Sequence, residues 1–178
     1  MHLMVDIETA SREPNAAILS IGACLFHPYI ESAPEDLPKK EWRIDPESSL
    51  AYDLHFCQGT LAWWEKQSPE SRRIAFSGDR DLKEALTELH VFAMPATKVW
   101  ANDPDFDCTI LKKACEVTSA PWGFQYWDSM ATRTIKWLAY PTGGEPKHDG
   151  VAHSALDDAV HQACLVSHCY SRLGNNLG

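Results

Sequence analysis

Residues 4 to 10 read "MVDIETA", an apolar run that closes on two acids, Asp6 and Glu8, two positions apart. The run predicts a strand, and on a strand the side chains at i and i+2 point to the same face. Asp6 and Glu8 then stand side by side, where like charges repel and something has to offset the repulsion. A second apolar, β-branched run, "AAILSIGACLF" at 16–26, follows the turn-rich "SREPN". The two runs predict a hairpin or a pair of adjacent strands.

Outward from this pair, residues 27–40 carry Pro28, Pro34 and Pro38 among acids and lysines and read as a loop, and "EWRI" at 41–44 is a third strand. From Thr60 the pattern turns helical. "TLAWWEKQ" is followed by a break with Ser68 and Pro69 at capping positions, then by "ESRRIAF". In "DLKEALTELHVFAM", Leu82, Leu86, Leu89 and Phe92 form one helical stripe. "TKVWA" at 97–101 is strand-like, "NDPD" punctuates it, and "FDCTILKKACEV" has helical spacing with Asp105 as the expected N-cap. "FQYW" at 124–127 predicts a strand and "DSMATRTIKWLA" a helix capped by Asp128 or Ser129. After the loop-like "YPTGGEPKHDG", a last helix, "SALDDAVHQACLVSHCYSRL", is expected to end at Gly174. Strands first, then alternating helix and strand, predict an α/β domain with a mixed sheet.

The 178 residues fit one domain spanning 1–178. No apolar stretch approaches membrane-spanning length, so no membrane association is expected. "MHLMVDIETA" lacks the basic region and long apolar segment of a signal peptide, which makes a cytoplasmic location the expectation. The six cysteines show no C-x-x-C pair, which argues against a zinc ribbon and a disulfide-stapled scaffold. A formal charge of −9 counts against phosphate-rich partners, because nucleic-acid affinity draws on Lys and Arg.

Two further acids hold special positions. Asp107 starts the helix after "VWA", and Asp158 lies one turn into the last helix. Strand ends and helix starts converge at one rim of an α/β sheet, the usual ligand site of such folds. Four carboxylates gathered there need cations. An all-oxygen set suits Mg²⁺ or Mn²⁺, and two ions about 3.5–4 Å apart are a common device for phosphodiester chemistry.

"VDIET" at 5–9, "ANDPDFDCTIL" at 101–111 and "HSALDDA" at 153–159 resemble, in order, the three motifs of the DEDDh 3′–5′ exonuclease family, which has an RNase H-like fold. Four residues separate His153 from Asp158, the spacing of the h subtype. The resemblance implies that Asp6, Glu8, Asp107 and Asp158 hold two Mg²⁺ ions, with Mn²⁺ able to substitute, and that His153 is the general base. It implies release of nucleoside 5′-monophosphates from single-stranded DNA or RNA 3′ ends. "TLAWWEKQSPESRR" at 60–73 and "DSMATRT" at 128–134 add a looser similarity to small single-domain exonucleases of bacteria and phages. That similarity implies Thr9, Trp64, Asn102, Phe106 and Arg133 as substrate contacts, a bacterial or phage-infected cell as the setting, and, since small members are often dimers, a homodimer as one assembly to consider. An RNase H-like binding module without activity and an RNase H-like endonuclease are the rival readings.

The charge objection weakens on this view, because metal neutralises the site acids and much of the remaining excess lies in segments such as "ESAPEDLP". Arg133, Lys112, Lys113, Lys147 and the Arg72–Arg73 pair are available to phosphates, and Trp63, Trp64 and Phe106 to stacking bases. Adjacent on a helix, Trp63 and Trp64 cannot share a face; one belongs to the core and the other does not. His148 competes with His153 and is the alternative substrate contact, while Asp157 reads as an exposed neighbour of Asp158. His161, Cys164 and His168 fall on one helical stripe, yet without a convincing fourth ligand they read as packing rather than zinc.

Overall fold

The computed structural model describes residues 1–148 and 150–175. The acid-bearing run is strand β1, His2–Thr9, paired antiparallel with β2, Ile18–Phe26, so the expected hairpin partners do meet. β2 pairs antiparallel with β3, Lys39–Arg43. On the other side of β1 lie β4, Val99–Ala101, and then β5, Ser129–Ala131, both running in its direction. The sheet order is β3-β2-β1-β4-β5, a mixed sheet whose three parallel strands end at one rim.

Seven helices occur among the described residues: α1, Pro46–Ala51; α2, Gln58–Trp64; α3, Pro69–Phe76; α4, Leu82–Ala93; α5, Asp107–Thr118; α6, Thr132–Ala139; and α7, Ala155–Asn175. None is long and apolar enough to cross a membrane. Alternation along β1 divides the core. Leu3, Val5 and Ile7 pack with Leu82, Leu86 and Leu89 of α4 and Ile110 and Leu111 of α5. Met4 of the opposite face packs with Cys24, Phe26, Ile135 of α6, and Ala159, Ala163 and Val166 of α7. Asp6 and Glu8 share the parity of Met4, so they look toward the α7 side of the sheet.

Several local expectations change. Residues 46–51 form α1, whose N-cap Asp45 accepts from Glu47 N at 2.9 Å. "FQYW" is not a strand: Tyr126–Asp128 is a 3₁₀ turn, and the strand begins one residue later. Asp128 closes that turn instead of capping a helix, accepting from Gln125 N at 3.0 Å and pairing with Lys98 at 2.7 Å. Neither Asp128 nor Ser129 caps α6, which starts at Thr132 after Ala131. Asp105 does not cap α5 either; Phe106 holds that position, and Asp103 O accepts from Phe106 N and Asp107 N as the chain turns into the helix. Ser68 does cap α3, accepting from Ser71 N at 3.0 Å. The last helix runs through Gly174 to Asn175 rather than stopping at the glycine.

One close approach sets how α7 lies on the sheet. Gly22 is the β2 partner of Asp6, and a Cβ built on it would stand 2.1 Å from the Ala155 carbonyl and 2.3 Å from Leu156 N. Ala155, Ala159 and Ala163 continue this small, fully buried seam along α7. Backbone cannot rotate aside as a side chain can, so Gly22→Ala is expected to destabilise the fold by about 3 kcal/mol, the upper range for overpacking. Urea unfolding followed by circular dichroism checks it, the expected result being a lower midpoint with an unchanged slope.

Candidate active site

The C-terminal ends of β1, β4 and β5 open into a cleft of about 490 Å³, lined by Asp6, Glu8, Asn102, Asp107, His153 and Asp158, among others. β1 supplies Asp6 and Glu8 from one face. α7 supplies Asp158 from its first turn because Gly22 lets that turn settle against the strand pair. Asp107 arrives from the opposite face of the sheet as the first residue of α5, where a helix N-terminus favours an anion. One oxygen each from Asp6, Glu8 and Asp158 lies within 4.8 Å of the others. Asp107 stands beside this trio with Oδ1 accepting from Ile7 N at 3.2 Å.

The electrostatics follow from crowding. Burial, followed by the charges of Asp107, Asp158 and Glu8, raises Asp6 well above the usual carboxylate range, with a bond from Gln162 opposing. Burial and then Asp158 and Asp107 push Glu8 up to about 8. Asp107 rises to about 7, chiefly by burial, and Asp158 is also raised by burial while His148 and His153 pull it back. Such a set is poorly stable as four anions and offers only oxygen, which fits hard divalent cations.

His153 stands at the cleft edge with Nδ1 4.0 Å from Glu8 Oε1. Its backbone is left-handed, with φ +62°. The Trp63 ring meets it edge-on at 4.9 Å and Trp64 at 6.1 Å. The two tryptophans divide as adjacency demands. Trp64 is 2% exposed and donates Nε1 to Thr9 O at 2.9 Å, whereas Trp63 is 41% exposed. Trp64 therefore contributes wall, and the open aromatic face is Trp63's. Both line a second cleft of about 600 Å³, with Thr9, Arg12, Thr60 and Phe106, that joins the first along Ile7, Glu8 and Phe106. Thr9 is buried with its hydroxyl given to Ser11 O at 2.6 Å. Asn102 is exposed in the acidic cleft, and Arg133 lines it in an ion pair with Asp103.

Some participants carried little signal in sequence. Gln162 donates to Asp6 Oδ1 at 2.8 Å; its one clue was its place four residues after Asp158 on a helix. His148 brings Nε2 to 3.2 Å from Asp158 Oδ1. Asp157 is not a plain exposed acid, since Oδ2 accepts from Val151 N at 3.0 Å and anchors the turn before α7. His161, Cys164 and His168 have separate neighbours: the His148 ring at 4.8 Å, Ser32 O at 3.7 Å and Glu31 at 3.6 Å.

A five-stranded mixed sheet with acids from β1, α5 and α7 on its rim is an RNase H-like fold. The fold matches the nuclease domain of 3′hExo, a DEDDh family member solved bound to rAMP, with a TM-score of 0.61 and 12% identity over 95% of this chain and 90% of that one. A family model described as the 3′–5′ exoribonuclease Rv2179c-like domain matches residues 1–170, and the chain belongs to that family. It is a 3′–5′ exonuclease, and DEDDh nucleases use divalent metal ions. No curated protein matches the chain in sequence.

The raised acids give the metal-free protein a pH dependence of known sign. A carboxyl whose folded pKa exceeds its unfolded value stabilises the fold fully below the unfolded value, and that stability is lost as pH climbs through the folded one. For Glu8 the window runs from 4.5 to about 8 and for Asp107 from 3.8 to about 7. In EDTA, unfolding free energy is expected to fall between pH 5 and 8, by up to about 1.4 kcal/mol per pH unit for each proton released. Glu8→Gln flattens the slope and makes the metal-free protein more stable than wild type at pH 8. An added divalent cation is expected to restore the wild type there by binding the folded state. Urea melts across pH, with and without metal, check all three outcomes.

Proposed function

We propose that this exonuclease acts on single-stranded RNA from the 3′ end, depends on Mg²⁺, and uses His153 as general base. The observation that carries the reading is the trio of Asp6, Glu8 and Asp158 oxygens within 4.8 Å, with the His153 imidazole at its edge. The family description, an exoribonuclease domain, supports RNA as substrate.

Asp6, Glu8, Asp158 and the adjoining Asp107 would hold the metal. Divalent metal held there would supply Lewis acidity for the hydrolysis. The chain's own groups account for the rest. His153, whose Nδ1 lies 4.0 Å from Glu8 Oε1 at the edge of the acid cluster, takes the proton of the attacking water. Arg133, steadied by Asp103, presents a guanidinium to substrate phosphate across a cleft rich in acids. Trp63 and Phe106, in the adjoining apolar cleft, offer faces on which a terminal base stacks. Cleavage of the last phosphodiester leaves a 5′-phosphate on the released nucleoside.

A 5′-labelled RNA oligonucleotide with Mg²⁺ is expected to shorten into a ladder, while a circular RNA of the same sequence stays intact. Asp6→Ala and Asp158→Ala each remove several kcal/mol of transition-state stabilisation, a loss of at least about 100-fold. Undiminished cleavage in either variant or in excess EDTA contradicts the mechanism, and faster cleavage of matched DNA contradicts the substrate.

A further inference from the structure

His153 belongs to a turn whose shape has a source outside all three acid-bearing segments. The peptide group joining Ala152 to His153 is planar, so its C=O and N–H move as one unit. The C=O accepts from Ser71 Oγ at 2.8 Å, and Ser71 is 3% exposed on α3, far away in sequence. A second hydroxyl supports the first: Ser68 Oγ lies 2.8 Å from Ser71 Oγ while capping α3, whose Ile74 and Ala75 are buried.

This arrangement matters because His153 has φ +62°, a region that an L-residue enters against its own preference. Rotation of the 152–153 peptide would release His153 to ordinary backbone angles and carry its ring away from Glu8. The bonds on either side, Val151 N to Asp157 Oδ2 at 3.0 Å and Ser154 N to Val151 O at 3.1 Å, hold the ends of the turn but leave that peptide free to rotate. Among the described residues, the bond that grips the plane itself comes from Ser71. We propose that Ser71 is a positioning residue: its hydroxyl locks the Ala152–His153 peptide and thereby aims the imidazole into the acidic cleft. The inference rests on His153 acting as the base.

The test is a double-mutant cycle on RNA cleavage. Ser71→Ala is expected to lower kcat about tenfold with KM within about twofold, since a misaimed base costs rate more than binding. In a His153→Ala background the same change is expected to alter kcat by less than about twofold, because there is no base left to aim. Wild-type kcat in Ser71→Ala, a loss confined to KM, or the same tenfold loss on top of His153→Ala overturns the inference, the last by showing a merely structural role. Should thermal melts show Ser71→Ala unfolded, Ser71→Cys, similar in size and a weaker donor, replaces it in the same cycle with the same expected pattern. If His153→Ala itself cleaves at the wild-type rate, the base assignment fails and this inference with it. If His153→Ala is slow and Ser71→Ala is not, only the positioning role fails.

Discussion

The contact between Gly22 and the first turn of α7 governs the geometry of this enzyme. Because β2 carries no side chain at that point, the α7 backbone comes against the strand pair where Asp6 and Gly22 face each other. That proximity brings Asp158 within reach of Asp6 and Glu8, and it carries the turn before α7, with His153, to the same rim. A side chain at position 22 would hold the helix off. The acids would then be neighbours in sequence motifs without being neighbours in space.

The closeness that makes the site useful also works against the fold. Burial and mutual repulsion raise the carboxyls, Glu8 to about 8 and Asp107 to about 7, so the cluster resists being fully charged without a cation. The surroundings moderate this only in part. Gln162 donates to Asp6, Ile7 N donates to Asp107, and His148 and His153 face Asp158. A site of this kind stores unfavourable electrostatics that metal relieves, which couples stability to occupancy. Its aromatic flank, Trp63 and Phe106, is uncharged and does not add to the negative field.

Sequence and structure agree where a signal was local and repetitive. The alternation of β1 and β2, the leucine stripe of α4 and the cap of α3 all follow from period and capping chemistry within a few residues. They disagree where a distant partner decides. The aromatic "FQYW" has strand-forming residues, yet Lys98, from the segment just before β4, binds Asp128 and Trp127 O and draws the chain into a turn. Asp105 has the chemistry of a cap, but the chain enters α5 one residue later with the Asp103 carbonyl as acceptor.

The candidate site divides in the same way. Strand parity paired Asp6 with Glu8 and helix starts marked Asp107 and Asp158, because both impose direction on a side chain whatever surrounds it, while the resemblance to the DEDDh motifs joined the four acids to His153. Sequence also required that Trp63 and Trp64 part company. Only the tertiary structure chose Trp64 for the core, through its bond to Thr9 O, and left Trp63 open. Only the fold, too, brought Gln162 to Asp6, His148 to Asp158 and Ser71 to Ala152. The first and last of those contacts join elements far apart in the chain, the second folds a loop back on the helix after it, and no local periodicity records which surfaces packing will press together.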